Sequence, residues 1–466
     1  MTSHFCFNTQ LKAGIFASLL FIPILTTASP SFPSPISDAS NQDADFSSAL
    51  GEAIFEKLWA SSPSSTLASD GLGPLFNARS CHTCHLNEGG GKRPNAGEST
   101  RNTSTFFIRL GLTQAPDELK PEHSVWPDPI YGHQLQTRSV QGLVAEPSFA
   151  IMYASKNVRF DDGTIIELSV PSYKLELNEE LNKGISSIHQ HTGLSPRLSP
   201  HLTGMGLIDA LSDEDILANA DPDDEDKDGI SGRANVVWDR KTASWKIGRF
   251  GYKATQPTLD QQNQSAFNGD IGLSTPLFQT ASGDCTQQQI TCLNAPNGNS
   301  PHLDNLEINQ KQVNWVNIYL GTLPVVRIQN SATAAFEQGK QQFIALNCIA
   351  CHVPKYTTAT SSLSSTLENR VILPFSDFLL HDMGDALASG FTEYSASARE
   401  WRTAPLWGMS KRLAKNPQGG FLHDGRAKTI NEAILWHGGE ASASQAAYLS
   451  SSLKDRNALL YFLESL

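Results

Sequence analysis

The chain has 466 residues, 35 basic against 47 acidic, for a formal net charge of −12, with 39% hydrophobic residues and seven cysteines. At about 150 residues per domain this length implies roughly two or three domains, each able to bury its own core. The acid excess argues against a nucleic-acid binder, which needs a basic face to displace counterions, and so few cysteines cannot form a disulfide scaffold, so their spacing matters more than their number.

The chain opens with Met1 to Lys12, then an apolar run from Ala13 to Leu25, then Thr26-Thr27-Ala28. That is the pattern of a secretory signal peptide, residues 1–28, cut after Ala28. A membrane anchor is the alternative, but thirteen apolar residues interrupted by Pro23 fall short of the ~20 that span a bilayer. The expectation is an exported, periplasmic protein that is soluble after cleavage and loses Cys6 with the peptide. Residues 29–45, rich in Pro, Ser and Asp, read as a linker.

Leu50, Gly51, Ile54, Phe55 and Leu58 follow at helical spacing and lead to Cys81-His82-Thr83-Cys84-His85. Far along the chain, Phe336, Gly339, Gln342, Phe343 and Leu346 lead in the same way to Cys348-Ile349-Ala350-Cys351-His352. Both motifs are C-x-x-C-H, in which each cysteine can form a thioether with a haem vinyl group and the histidine supplies an iron ligand. Two thiols three positions apart reach both vinyls of one porphyrin. A four-cysteine zinc site would place its pairs about 15–20 residues apart. A thioredoxin-like pair would need a βαβ setting, and a disulfide within each pair leaves the histidines unexplained. The expectation is two covalently bound haem c groups, held by Cys81, Cys84, Cys348 and Cys351, with His85 and His352 on the irons. Export agrees, because such attachment takes place outside the cytoplasm in bacteria.

Between the motifs, Asp224, Asp226, Asp228 and Gly229 reproduce the start of an EF-hand loop, although the twelfth position is Asn235 and Ile230 comes one place early. Calcium and a merely solvated acidic loop are both open readings. Val236-Val237-Trp238 and Phe250-Gly251-Tyr252 suggest short strands. Cys285 and Cys292 lie in a polar loop and should pair in an oxidising compartment, a reactive dithiol being the alternative. Val313, Val316, Leu320 and Leu323 form an apolar helix stopped by Gly321 and Pro324, and Leu453, Leu459, Leu460, Leu463 and Leu466 form another at the end. Each Gly-x-x-x-Phe helix thus has a second helix to cross it. The order of helix, haem motif and closing helix resembles cytochrome c. The fold expected is mainly α with two cytochrome c-like domains: residues 46–325, with a long insertion containing short strands, and residues 326–466.

The stretches GLGPLFNARSCHTCH (71–85), YGHQLQ (131–136), DPDDEDKDGISGRANVVWD (221–239), GRFGYKA (248–254), LLHDMG (379–384), EWRTAPLWG (400–408) and FLHDGRAKTINEAILWHGGEA (421–441) resemble the di-haem oxidoreductase family of bacterial peroxidase-like proteins, some labelled thiol oxidoreductases. A more distant resemblance is to di-haem cytochrome c peroxidases and the related enzyme that matures a tryptophan-derived cofactor. In the peroxidases a His-Asp-Gly turn precedes a helix with the distal ligand of the C-terminal haem, usually Met. On that spacing the resemblance implies His437, after His423-Asp424-Gly425. An imidazole in place of a thioether typically lowers the reduction potential. The peroxidases also place a Gln, and ten residues later a Glu, in the distal pocket of the N-terminal haem. Gln136 and Glu146 have that spacing, and a buried Glu could move a proton between peroxide oxygens. For a sixth ligand to the N-terminal iron, His123, His133, Met152 and Met205 are all candidates, while an open position suits chemistry best.

Two functions remain in view. One is a peroxidase-like enzyme with an N-terminal catalytic haem and a C-terminal relay haem, served by a protein or small-molecule electron donor and acting on a peroxide or other oxidisable substrate. The other is a non-catalytic electron-transfer cytochrome with both irons closed. Thiol oxidation gains nothing from the residues, since four cysteines go to haem and two to a disulfide. The long insertion favours the enzyme. The resemblance implies a homodimer, and the acidity predicts a basic patch on any protein redox partner, with association that weakens as salt rises.

Overall fold

The structure is a computed structural model that describes residues 42–114, 116, 118–176 and 187–466. The expected export segment and nearly all of the expected linker lie outside the described residues.

Two helix pairs frame the C-x-x-C-H motifs. Helix α1 (Gln42–Glu56) precedes α2, the single turn Cys81–Cys84, and packs against α4 (Gln310–Gly321), with α3 (Leu259–Ala266) beside it. Helix α5 (Ala334–Ala345) precedes the second motif and packs against the terminal helix α8 (Leu453–Ser465), with α6 (Met409–Lys415) and α7 (Ile430–Leu435) between them in sequence. Both crossings turn on the same pair of residues. A Cβ at Gly51 would run into the Trp315 carbonyl, and one at Gly339 into the Ala458 carbonyl. Four residues on, Phe55 meets Tyr319 at 5.5 Å between ring centroids, and Phe343 meets Phe462 at 5.4 Å. Gly339→Ala is therefore expected to destabilise the fold by about 1–3 kcal/mol through overpacking. An unchanged midpoint of chemical denaturation would contradict it.

The fold is nevertheless not mainly α, and the expectation of a cytochrome c fold with minor strands is corrected here. About 31% of the chain is helical and about 19% is strand, in many small sheets. Strands β1 (Leu75–Phe76), β2 (Glu98–Ser99), β3 (Phe106–Leu112) and β4 (Arg138–Ser139) lie on either side of the first motif. They are followed by β5 (Ser148–Arg159), β6 (Ile165–Glu176) and β7 (Thr192–Leu198). Strands β5 and β6, twelve residues each, form a hairpin in register from Ser148↔Glu176 to Arg159↔Ile165. Its signal was in the sequence: Asp162-Gly163 sits between runs that carry Ile151, Tyr153 and Val158 on one side and Thr164, Ile165 and Ile166 on the other, and Gly163 adopts φ +87°. Strand β3 pairs antiparallel with β7 across about eighty residues of chain. Of the short strands expected, Val236–Asp239 forms as β8 and pairs with β9 (Ser244–Ile247), whereas Phe250 makes only an isolated bridge to Gln256. Strands β10 (Leu380–Asp382) and β11 (Glu400–Arg402) pair near the second motif.

One buried apolar cluster draws on both halves of the chain, from Ile54, Phe55 and Trp59 through Val313 and Val316 to Tyr356, Ile372 and Phe378. No described helix is long and apolar enough to cross a membrane.

Candidate functional site

At the first motif, the Ser80 hydroxyl accepts the Thr83 amide at 3.2 Å and starts the one-turn helix α2. That turn puts the thiols of Cys81 and Cys84 on one side, three positions apart. His85 leaves the helix, and its Nδ1 donates to the Pro200 carbonyl at 2.9 Å, with the Gly89 carbonyl at 3.3 Å. With the proton held on Nδ1, Nε2 carries the lone pair a metal needs. Burial pushes the His85 pKa down to about 4, against those two carbonyls, so the ring is neutral at pH 7. Burial also pushes Cys81 up to about 12, aided by the Asp270 carboxylate, and raises Cys84. Thiols held this far up are poor thiolates, which weighs against a reactive dithiol.

The second motif repeats the arrangement on a different local fold. Asn347, at φ 57°, turns the chain out of α5 into a tight turn over Cys348–Ala350. His352 Nδ1 donates to the Phe375 carbonyl at 2.9 Å, and burial lowers its pKa to about 4. His437 follows α7, donates from Nδ1 to the Ala433 carbonyl at 2.8 Å, and is also pushed down by burial. It lies near enough to disfavour a charge on His352. Two neutral imidazoles, each with Nε2 unengaged among the described residues, are thus brought into one neighbourhood from residues eighty-five positions apart.

A family model described as "di-haem oxidoreductase, putative peroxidase" matches residues 27–466. The chain belongs to the di-haem oxidoreductase family. No curated protein and no solved structure matches it. The residues present fit the two haem groups of the family name: each motif offers two free thiols and a neutral histidine whose Nε2 has no partner among the described residues. Beside His437, the buried Trp436 Nε1 has no hydrogen-bond partner among the described residues, as expected of a donor facing a site for a further group.

In this di-haem oxidoreductase, Gln136 and Glu146 come together as a buried pair, each 3% exposed. The Gln136 amide donates to Glu146 Oε2 at 2.6 Å, and the Glu146 amide donates to the Gln136 carbonyl at 3.1 Å. The Gln136 side chain is committed elsewhere, accepting from Asn77 at 2.9 Å and donating to the Gly269 carbonyl at 2.7 Å. Gln289 Nε2 donates to Glu146 Oε1 at 2.6 Å. Burial raises the Glu146 pKa well above the usual carboxylate range, outweighing both hydrogen bonds. The network reaches the first motif through Gly269-Asp270, since the Asp270 charge acts on both Cys81 and Cys84. Gln289 was missed in the sequence because it stands on a loop closed by the Cys285–Cys292 disulfide, which forms as expected. On the same loop Asp284 accepts from His133 Nδ1 at 2.8 Å. Of the sixth-ligand candidates, His133 is held through Nδ1 by Asp284 and stacked on His123 at 5.6 Å, and Met152 is 46% exposed on β5.

The acidic loop brings the carboxylates of Asp221, Asp224 and Asp226 within 4.8 Å of one another. Asp228 is not part of that group; its Oδ1 accepts the Ile230 amide at 2.8 Å. Asp221, the first residue of the run, takes the place in the group that the EF-hand spacing gave to Asp228. At its far end the loop is anchored by Ser231, whose hydroxyl donates to Glu440 at 2.9 Å.

Glu440 leads to a buried triad with no sequence motif. His381 donates from Nε2 to Asp377 at 2.8 Å and from Nδ1 to Glu440 at 2.7 Å, with Cys351 Sγ at 3.6 Å. With both nitrogens held by carboxylates the ring is an imidazolium and has no lone pair for a metal. Burial opposes the charge, yet the carboxylates raise its pKa to about 12. Glu440 is in turn held below its usual value, burial being outweighed by His381 and the Asp382 amide. The signs follow from linkage. The raised histidine stabilises fully below its unfolded value of 6.5 and loses that contribution as pH climbs toward its folded value, while the depressed Glu440 stabilises above 4.5 and loses it on acidification. His381→Gln should therefore cost most between those two values, about 3–5 kcal/mol for breaking a buried pair, and less at alkaline pH. A loss that is constant with pH in denaturant titrations would contradict this.

A second cluster lies between the motifs. Trp401 on β11 stacks on His423 at 3.8 Å and 9°, with the Lys253 ammonium 4.2 Å and the Arg197 guanidinium 4.5 Å from its ring. Strand pairing sets Trp401 opposite His381, which touches Cys351. On the other side the Leu198 amide donates to the His423 carbonyl at 2.7 Å, and the next residue, Ser199, reaches the Cys84 thiol.

Proposed function

We propose that this chain is an exported peroxidase-type oxidoreductase with two covalently attached haem c groups, the N-terminal one catalytic and the C-terminal one a relay for electrons from an outside donor. Bound at these positions, haem supplies an iron that passes single electrons and, where a coordination position is open, accepts a peroxide oxygen. Cys81 and Cys84, and Cys348 and Cys351, hold the two groups by thioethers. His85 and His352 present Nε2 to the irons, with their Nδ1 protons fixed on backbone carbonyls. His437, whose Nδ1 is likewise held by a backbone carbonyl, would offer its Nε2 to the second group.

The observation that carries the enzymatic reading is the buried Glu146. A carboxyl desolvated, aligned by the Gln136 amide and Gln289, and connected to the first motif through Gly269-Asp270 is a proton carrier that a pure electron-transfer protein does not need. In its neutral form it holds the proton a departing peroxide oxygen requires. The Trp401–His423 stack supports the relay, because it offers an aromatic route between the two attachment sites. Calcium at Asp221, Asp224 and Asp226 would bind the loop that Ser231 ties to Glu440, next to the second motif. The reading is tested by paramagnetic resonance of the ferric and half-reduced protein. One high-spin and one low-spin haem with rapid peroxide turnover is expected. Two low-spin, inert haems would instead make the protein a carrier.

A further inference from the structure

Although acids outnumber bases 47 to 35 along the chain, one part of the described surface reverses that balance. Lys92, Lys411, Arg412 and Lys415 line a cavity of about 190 Å³ together with Cys84 of the first motif, and Lys92, Arg93 and Lys428 line the adjoining opening of about 240 Å³. Glu88 is the one carboxylate on these walls, and it accepts from the Tyr319 hydroxyl at 3.0 Å. Glu432, whose carboxylate feels Lys428 and Arg93, stands behind the second opening. No ion pair joins Lys92, Arg93, Lys411, Arg412 or Lys415 to a carboxylate among the described residues, although nine other cations of lysine or arginine are so paired.

Two further observations point to a ligand. The Nε atoms of Arg93 and Arg412 are buried and lack any hydrogen-bond partner among the described residues, a costly state for a charged donor. Arg93 is held by stacking on Tyr153 at 3.7 Å and Arg412 on Phe421 at 4.2 Å, so both guanidinium groups are fixed in place. His201 lines the same cavity.

We infer that this cleft is a carboxylate-binding site beside the first haem attachment motif. The inference rests on the haem reading of that motif. Fixed guanidinium groups with a lysine rim suit carboxylate oxygens, and a space this small suits a short carboxylate-bearing group better than a drug-sized ligand. The carboxylates come either from the propionates of the haem itself or from a diffusible acid that reacts at its edge.

The test uses the holoprotein, the double variant Lys411→Glu/Lys415→Glu and, as a control, Lys454→Glu on the exposed face of α8, with citrate as the probe. A diffusible acid predicts that citrate binds at low ionic strength, weakens as salt rises, and loses about tenfold or more in affinity in the double variant only. Propionates in the cleft predict no citrate binding, but a lower reduction potential for one haem in the double variant only, because lost positive charge favours the ferric state. Absence of citrate binding together with unchanged potentials of both haems would overturn the inference. Protein that carries no haem would instead remove the reading beneath it, and intact mass distinguishes the two failures.

Discussion

Glu146→Gln is expected to lower peroxide turnover by about 10²–10⁴-fold, the usual range for removing a positioned proton carrier, with both haem spectra intact. The substitution keeps the shape of the side chain and its acceptor toward the Gln136 amide, so the fold has little reason to move. It removes the exchangeable carboxyl proton of that side chain. The wild-type pH profile carries a second mark. Burial raises Glu146, so a rate that needs its neutral form is steady at low pH and falls as pH rises through that raised value. The glutamine variant should lack this alkaline limb. Steady-state peroxide assays across pH decide the matter, and turnover within twofold of wild type would remove Glu146 from the chemistry. Gln289→Ala supplies a graded version: Glu146 keeps its carboxyl but loses the 2.6 Å donor that favours its ionised form, so the alkaline limb should move to higher pH.

His437→Ala should convert one of the two haems from low spin to high spin while leaving the other unchanged. The His437 Nδ1 proton is fixed on the Ala433 carbonyl, which leaves Nε2 free for the proposed ligand role. Loss of that imidazole should open one iron and raise its reduction potential. Paramagnetic resonance of the ferric variant reads this directly. A spectrum identical to wild type would place His437 among ordinary buried histidines. Because His352 keeps its own hydrogen bond to the Phe375 carbonyl, attachment at Cys348 and Cys351 should survive the change.

What could be read from the sequence follows from how local each feature is. The C-x-x-C-H motifs are five residues long and carry their own chemistry, and the Gly-x-x-x-Phe helices declared their crossing partners because Gly51 and Gly339 lie against backbone carbonyls. The pairing of Cys285 with Cys292 needed only compartment and proximity. The strands are less legible because several are only two or three residues long and too short to carry an alternating pattern. The Asp162-Gly163 turn and its β-branched flanks mark a hairpin on their own, but the pairing of β3 with β7 joins segments that no local pattern connects. The same limit applies to the site. Asp377 and His381 are four residues apart and legible as a pair, yet Glu440 arrives from a distant segment. Gln289 reaches Glu146, and His423 reaches Trp401, only once the chain has folded. The net charge misleads for a similar reason: an average of −12 conceals a positive cleft assembled from Lys92, Arg93 and α6.

Everything proposed for catalysis and relay depends on two haem groups bonded to Cys81, Cys84, Cys348 and Cys351. Intact mass of the denatured protein, produced with export and haem attachment in operation, tests that dependence most directly. The expected mass is that of the polypeptide from residue 29 onward plus two haems, falling by one haem when Cys81 and Cys84 are both replaced by alanine, and likewise for Cys348 and Cys351. A mass equal to the polypeptide alone would contradict the account.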